Sequence, residues 1–450
     1  MGHPCHARAH LSRLPFSYLI LLLLEPVMSI RLGLLVVVSL LTSSVAHAED
    51  WPQFRGTNGD GISHEQHLPS EWGDDVDGKQ RNVAWKLPLP GKGWSSPSLS
   101  RGKLYLTSAV PKEGSDSGDL SLRALCVDAK TGKLLWDNEI FLQDGKTAAK
   151  IHNKNSHASP TPLVDSNRVF VHFGHQGTAC LDLDGNVLWS TRELSYAPVH
   201  GNGCSPILVD GGLIFSCDGG KDPFVAALEA DTGKLKWKFQ RPGEPRKSFA
   251  FCTPSVIEVN GKQQVISVGA GIVNALNPAT GESIWHVTHE GYSVIPKPVF
   301  GHGLVYLSTS YDSAQVMAIR PDGTGDVTET HVEWTLKKGA PHTPSLLLLG
   351  NELYMIADKG VATCVNALTG EPHWQERVGG NYSSSLQYAD NKIFIQSEEG
   401  KTLVLKPGLV FEKPIETGFK DERTLASYAV GDGALFIRTE NNLYRVQQLK

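Results

Sequence analysis

Residues 126–136 read CVDAKTGKLLW, and the same eleven-residue pattern returns as ALEADTGKLKW (227–237), ALNPATGESIW (275–285) and CVNALTGEPHW (364–374). A shorter copy, CLDLDGNVLW (180–189), turns on Asp184-Gly185, and a stretched one, AIRPDGTGDVTETHVEW, runs from 318 to 334. Each copy has one physical reading. Apolar alternation makes a strand, Thr-Gly supplies the positive φ of a tight hairpin, and a second strand ends in Trp.

Upstream of each copy lies another hairpin, such as TPSLLLLGNELYMI (343–356) or SPILVDGGLIF (205–215). Two hairpins give four antiparallel strands, which is one propeller blade. Trp85, Trp136, Trp189, Trp237, Trp285, Trp334 and Trp374 recur at intervals of 40 to 53 residues, and Phe411 takes the next outer-strand position. That count predicts an all-β, eight-bladed propeller over residues 82–450. Its ends should join. The chain starts on a lone outer strand, NVAWKL (82–87), and finishes on three strands near 425–430, 434–438 and 443–446. The N-terminal strand is therefore expected to complete the last blade and leave no edge exposed.

The run Cys/Ala-x-Asp/Asn-x-x-Thr-Gly-x-x-x-Trp resembles the tryptophan-docking repeat of pyrroloquinoline quinone (PQQ)-like propellers, over roughly residues 82–446. The resemblance implies a girdle in which Trp136, Trp189, Trp237, Trp285 and Trp374 pack on small residues and Gly turns of neighbouring blades. Cys126, Cys180, Ala227, Ala275, Ala318 and Cys364 would be the small positions. The opening Glu49-Asp50-Trp51-Pro52-Gln53-Phe54-Arg55-Gly56 is also similar to the start of exported bacterial propellers of this type. It makes residues 49–81 an extension packing on the ring, anchored by Trp51 and Phe54.

Residues 1–48 read as a targeting region. An apolar run from Leu32 to Leu41 follows Arg31 and leads to Ala46-x-Ala48, which predicts cleavage after Ala48. Met28 is the expected true start. The run is short for a membrane span, so a periplasmic or secreted chain with no stable span is expected. With 45 Gly, 26 Pro and a net charge of −5, the chain is globular, turn-rich and without a basic stripe, which argues against nucleic acid.

Six Cys follow the leader. Cys126, Cys180 and Cys364 sit where Ala sits in sister copies and read as packing residues. Cys204 and Cys217 fall opposite each other across a hairpin, while Cys252 aligns with Cys204 one blade on. Pairing of Cys204 with either stays open.

In a propeller the loops entering the inner strands crowd one face, which is where function belongs. Those loops supply the candidate ligand-binding residues: Trp94, His157, His200, Asn202, His342 and Tyr382. Such groups suit a small planar ligand or a peptide segment, including one from a periplasmic or envelope protein. His152 with His157, or His172 with His175, could be metal ligands, but no spacing matches a known tight site. No metal site and no catalytic constellation is assigned.

Three functions fit. The first is a binding or scaffold module, similar in architecture to the propeller lipoproteins that assist outer-membrane β-barrel assembly, though without their lipidation Cys. The second is a quinone-dependent dehydrogenase with PQQ as cofactor, for which the adjacent Cys pair of that group is missing. The third is a hydrolase or lyase sited in the funnel.

Overall fold

The computed structural model describes residues 49–74, 80–115 and 118–449. The leader, with its predicted cleavage site and alternative start, lies outside them. The described chain forms an eight-bladed β-propeller of antiparallel blades. The first seven inner strands are Ser98–Ser100, Leu163–Asp165, Ile207–Val209, Ser255–Val259, Val299–Gly301, Leu347–Leu349 and Gln387–Ala389. Blade 8 takes Ala429–Gly431, Ala434–Arg438 and Asn442–Gln447 from the C-terminus and Val83–Pro88 as its outer strand. Leu87 pairs with Leu443 and Val83 with Val446, so the ring closes as the sequence predicts.

The repeat explains its own geometry. Its small first residue lies directly across from its Trp in six blades: Cys126↔Trp136, Cys180↔Trp189, Ala227↔Trp237, Ala275↔Trp285, Ala318↔Trp334 and Cys364↔Trp374. A bulge follows each small residue and twists the outer strand. The Asp/Asn at the third position caps the turn. Asn277 Oδ1 accepts the N–H of Ala279 at 2.9 Å, and Asp128 Oδ1 accepts that of Thr131 at 2.7 Å.

The indole of each Trp then reaches the turn of the following blade. Trp237 donates its Nε1–H to Pro278 O at 2.8 Å and lies flat on Gly281. Gly281 has φ +74°, and a Cβ there would stand 2.6 Å from the ring, so only glycine fits. Trp85, Trp136, Trp189 and Trp334 make the same bond to Ala129, Leu183, Ala230 and Ala367. Trp374 donates to Gly408 O.

Two positions differ from the sequence reading. Trp285 meets the stretched copy, whose insertion places Gly325–Asp326 beside it as a fifth, parallel strand. Its Nε1–H goes to Gln264 Oε1 at 2.9 Å, and Gln264 Nε2 passes the link on to Pro321 O at 3.2 Å. An amide relay replaces the direct bond. Phe411 is not in the outer strand of blade 7, which is Ile415–Gly418. It precedes that strand and packs edge-on against Trp374 at 5.2 Å, because Pro407 and Pro414 keep the intervening segment out of the sheet.

The apolar cores lie between neighbouring blades. One joins blades 1 and 2 through Tyr105, Cys126, Val169 and Val171, and another joins blades 4 and 5 through Ile266, Trp285, Val305 and Leu307. All six described cysteines are free and buried. Cys204 and Cys217 do face each other, yet no disulfide forms. The Cys204 sulfur instead accepts the Ser216 N–H at 3.2 Å. Burial raises the Cys204 thiol to about 12.

Candidate functional site

The position two residues before each inner strand carries a hydroxyl in seven blades: Ser96, Thr161, Ser205, Thr253, Ser345, Ser385 and Ser427. Each hydroxyl accepts the backbone N–H of the equivalent residue one blade earlier. Ser96 N–H donates to Thr161 (3.0 Å), Thr161 to Ser205 (2.9 Å) and Ser205 to Thr253 (3.0 Å). Ser345 donates to Ser385 (3.2 Å), Ser385 to Ser427 (2.9 Å) and Ser427 to Ser96 (3.1 Å). The equivalent residue of blade 5 is Lys297, whose N–H joins Ser345 at 3.0 Å but which offers no hydroxyl to blade 4. The result is a belt of hydrogen bonds around the axis with one gap.

The N-terminal extension crosses this axis. Trp51 is fully buried and pairs through both backbone groups with Leu99 of blade 1. Pro52 O accepts the N–H of Val164 in blade 2, and Arg55 Nη2 donates to Leu346 O at the start of blade 6, at 2.7 Å. Blades 2 and 6 stand opposite each other in an eight-membered ring, so residues 52–55 span the channel. The segment goes on to Tyr388 of blade 7 and, through Glu65, to Gly433 of blade 8.

Over this crossing lies a cavity of about 310 Å³, lined by Phe54 and by residues of all eight blades. One side is aromatic. Phe249 meets His200 at 5.4 Å and Tyr292 at 5.5 Å, both edge-on, and His152 meets His200 at 5.6 Å. The rest of the wall carries six belt hydroxyls, Ser345, Ser385, Ser427, Ser96, Thr161 and Ser205. Among the described residues, Lys154 and Lys247 are its lining cations, and no carboxylate and no cysteine lines it. Lys154 is paired with Glu398 at 2.6 Å, whereas Lys247 bonds the Tyr292 hydroxyl at 2.6 Å. Burial first, then His152 and Lys247, hold the His200 pKa below its ordinary value.

The residues singled out from sequence divide among four places. Trp94 and His200 line the central cavity. His157 and Asn202 line a second, water-sized cavity with Gln143 and His175. There His157 Nδ1 contacts Gln143 Nε2 at 3.1 Å, and Asn202 Oδ1 accepts the Tyr196 hydroxyl at 3.0 Å. His342 stacks behind Tyr311 at 4.7 Å, and Tyr382 is buried among Tyr354, Trp374 and Leu386. Of the two histidine pairs, His152 faces the central cavity, His157 and His175 share the small one, and His172 is buried against Phe215. Among the described residues no group of three or more His, Cys, Asp or Glu is placed to hold a metal.

Sequence reasoning passed over Lys154, Lys247, Tyr292 and Tyr311 as site residues, and it read Phe54 as an anchor alone. The belt is readable in the sequence as a Ser or Thr two residues before seven of the eight inner strands, a register from which none of the candidate residues was drawn.

A family model described as outer membrane protein assembly factor BamB matches residues 74–221 and 124–348. Among curated proteins, the quinoprotein alcohol dehydrogenase PedH of Pseudomonas putida is 26% identical over 195 residues, 41% of this chain and 30% of its own length. The dehydrogenase subunit of a quinone alcohol dehydrogenase from Gluconacetobacter polyoxogenes is 25% identical over 301 residues, 63% of this chain and 36% of its own. The chain thus spans about a third of these relatives. Among solved structures, BamB from Moraxella catarrhalis aligns with a TM-score of 0.56 at 12% identity, covering 81% of this chain and 97% of that one. A europium-containing methanol dehydrogenase aligns with a TM-score of 0.61 at 10% identity, covering 86% and 89%. These structural likenesses carry the fold alone. No helix among the described residues is long and apolar enough to cross a membrane.

Proposed function

The chain belongs to the family described as outer membrane protein assembly factor BamB, and from that premise we propose that it is an exported, periplasmic or secreted binding propeller whose ligand or partner segment seats in the central cavity. The observation that carries this is the cavity itself. All eight blades and Phe54 contribute to one aromatic and hydroxyl-lined chamber. Chambers of this kind, apolar with a few convergent polar groups, are where propellers take ligands. The family description supports an envelope protein as the source of a partner segment.

Native mass spectrometry of the protein purified from its host envelope tests the reading. A co-purified species should be lost in Phe249→Ala and Tyr292→Ala with the melting temperature nearly unchanged. A species that survives both changes, or that crosslinks only to the outer strands, overturns it.

The quinoprotein relatives favour a second reading, a PQQ-dependent dehydrogenase. The residues present do not fit that group, because among the described residues neither a carboxylate to share a divalent cation nor a cysteine lines the chamber. No redox step is derived. Retention of a quinone chromophore after mixing with PQQ and Ca²⁺, together with dye reduction, would restore it. For a hydrolase or lyase, only His152 and His200 of the histidines chosen from sequence meet in the chamber, and among the described residues no carboxylate or cysteine lines it to complete a catalytic set.

A further inference from the structure

The belt hydroxyls decide what the chamber can receive. A serine or threonine hydroxyl has one donor and two acceptor sites. In Ser427, Ser96, Thr161 and Ser205 the oxygen already accepts a backbone N–H, and among the described residues no acceptor takes the O–H. Four O–H donors on consecutive blades 8, 1, 2 and 3 are therefore left facing the chamber that they line. Each is polarised by the N–H that it accepts, which strengthens it as a donor. Such a half-ring matches a group rich in acceptors and poor in donors.

Charge points the same way. Lys247 reaches the chamber without a carboxylate partner among the described residues, and no lining residue is acidic. Two further cations are buried next to the lining. Arg55 follows Phe54, and its Nε and Nη1 have no hydrogen-bond partner. Lys297 is buried, with its backbone N–H on the lining Ser345 and its Nζ beside Gly59 of the segment that follows Phe54. Burial lowers Arg55 to about 10 and Lys297 to about 8, Arg55 adds to the depression of Lys297, and Asp60 is the one carboxylate that opposes this for both. Opposite the hydroxyls stand Phe249, Phe251 and Tyr292 of blades 4 and 5. Aromatic rings in an arc accept a flat body, and cations at the mouth disfavour a positively charged one.

We propose that the chamber is a metal-independent site for a small planar organic acid. Its acidic group sits on the Ser427–Ser96–Thr161–Ser205 half-ring, and its flat body lies against Phe249, Phe251 and Tyr292. This rests on the reading of the chamber as the binding site and adds the class of ligand.

The test uses the full mature chain in EDTA, with 2-naphthoate as probe and the uncharged 2-naphthalenemethanol of similar shape as its control, followed by calorimetry and probe fluorescence. The acid should bind at least tenfold more tightly than the alcohol. Ser96→Ala with Ser427→Ala should erase most of that difference while leaving alcohol binding unchanged. Both changes remove a belt link and could cost folding, so Lys247→Met at the exposed mouth provides a second variant. It should weaken the acid several-fold and leave the alcohol alone. Equal affinity for acid and alcohol, a preference that survives both variants, or binding that needs a divalent cation overturns the proposal. If neither probe binds, the proposal also falls. The chamber reading would still stand if the co-purified species depends on Phe249 and Tyr292.

Discussion

The backbone N–H of Ser427 donates to the hydroxyl of Ser96 at 3.1 Å, across 331 residues of sequence. This bond joins the last blade to the first on the chamber side, as the pairing of Leu87 with Leu443 joins them at the outer edge. Arg438 adds a third tie, donating to Thr107 O at 2.9 Å and to Ser95 O at 3.1 Å. Closure is thus secured at three radii.

Deleting residues 49–88 removes the outer strand of blade 8 and the segment across the channel together. The variant should lose the cooperative transition of the mature protein and melt far lower. Circular dichroism through a temperature ramp decides it, and an unchanged midpoint would refute the closure argument.

Trp237→Ala removes a ring that is 7% exposed, wedged on Gly281 and bonded to Pro278. Buried Trp→Ala changes cost about 3–5 kcal/mol. A denaturant titration should show a loss in that range, and a loss under about 1 kcal/mol would mean that the ring contributes little to the joint between blades 3 and 4.

Lys297 gives stability a pH signature. Its pKa falls from 10.5 to about 8 on folding, chiefly through burial and then through Arg55. Between those two values the unfolded chain holds a proton that the folded chain has released, so stability rises with pH across the window. The full rise is on the order of 3 kcal/mol. Lys297→Thr removes the titrating group and supplies the missing belt hydroxyl. Unfolding midpoints at several pH values from 7 to 10 should show the wild-type protein gaining on the variant as pH rises. Parallel curves would place the Lys297 amine in water.

The histidines should separate by position. His200→Ala should weaken binding of the 2-naphthoate probe several-fold, because its ring lines the chamber beside Phe249. His157→Ala and His342→Ala should not, since one ring faces the small side cavity and the other sits behind Tyr311. Titrations of the three single variants check this. Equal losses in all three would return them to a shared rim.

The fold was legible because its determinants repeat. Alternation, the Thr-Gly turn and the Trp recur often enough that one irregular copy cannot hide the period. The two misplaced features are irregular copies: the insertion that adds Gly325–Asp326 beside Trp285, and the Pro-flanked segment that keeps Phe411 off the sheet. The site was less legible because the loops entering the inner strands differ in length and path. Gly174, with φ +61°, lies against the Asn202 side chain and helps to hold it in the side cavity, a contact that no spacing reveals. Phe54 belongs to a segment that occurs once, so periodicity could not place it. Lys297 is the reverse case: its register is readable in the sequence, where it stands in place of the Ser or Thr of the other seven blades.

The segment that spans the channel also imposes an order of events. Residues 51–65 are made early, yet their partners include Tyr388 and Gly433, which are made near the end. A nascent chain can stack its early blades on one another as they emerge, but it has no enclosed chamber until blade 8 arrives. Any molecule held there must therefore enter a completed protein, and truncated products, however well their remaining blades fold, should be unable to retain it.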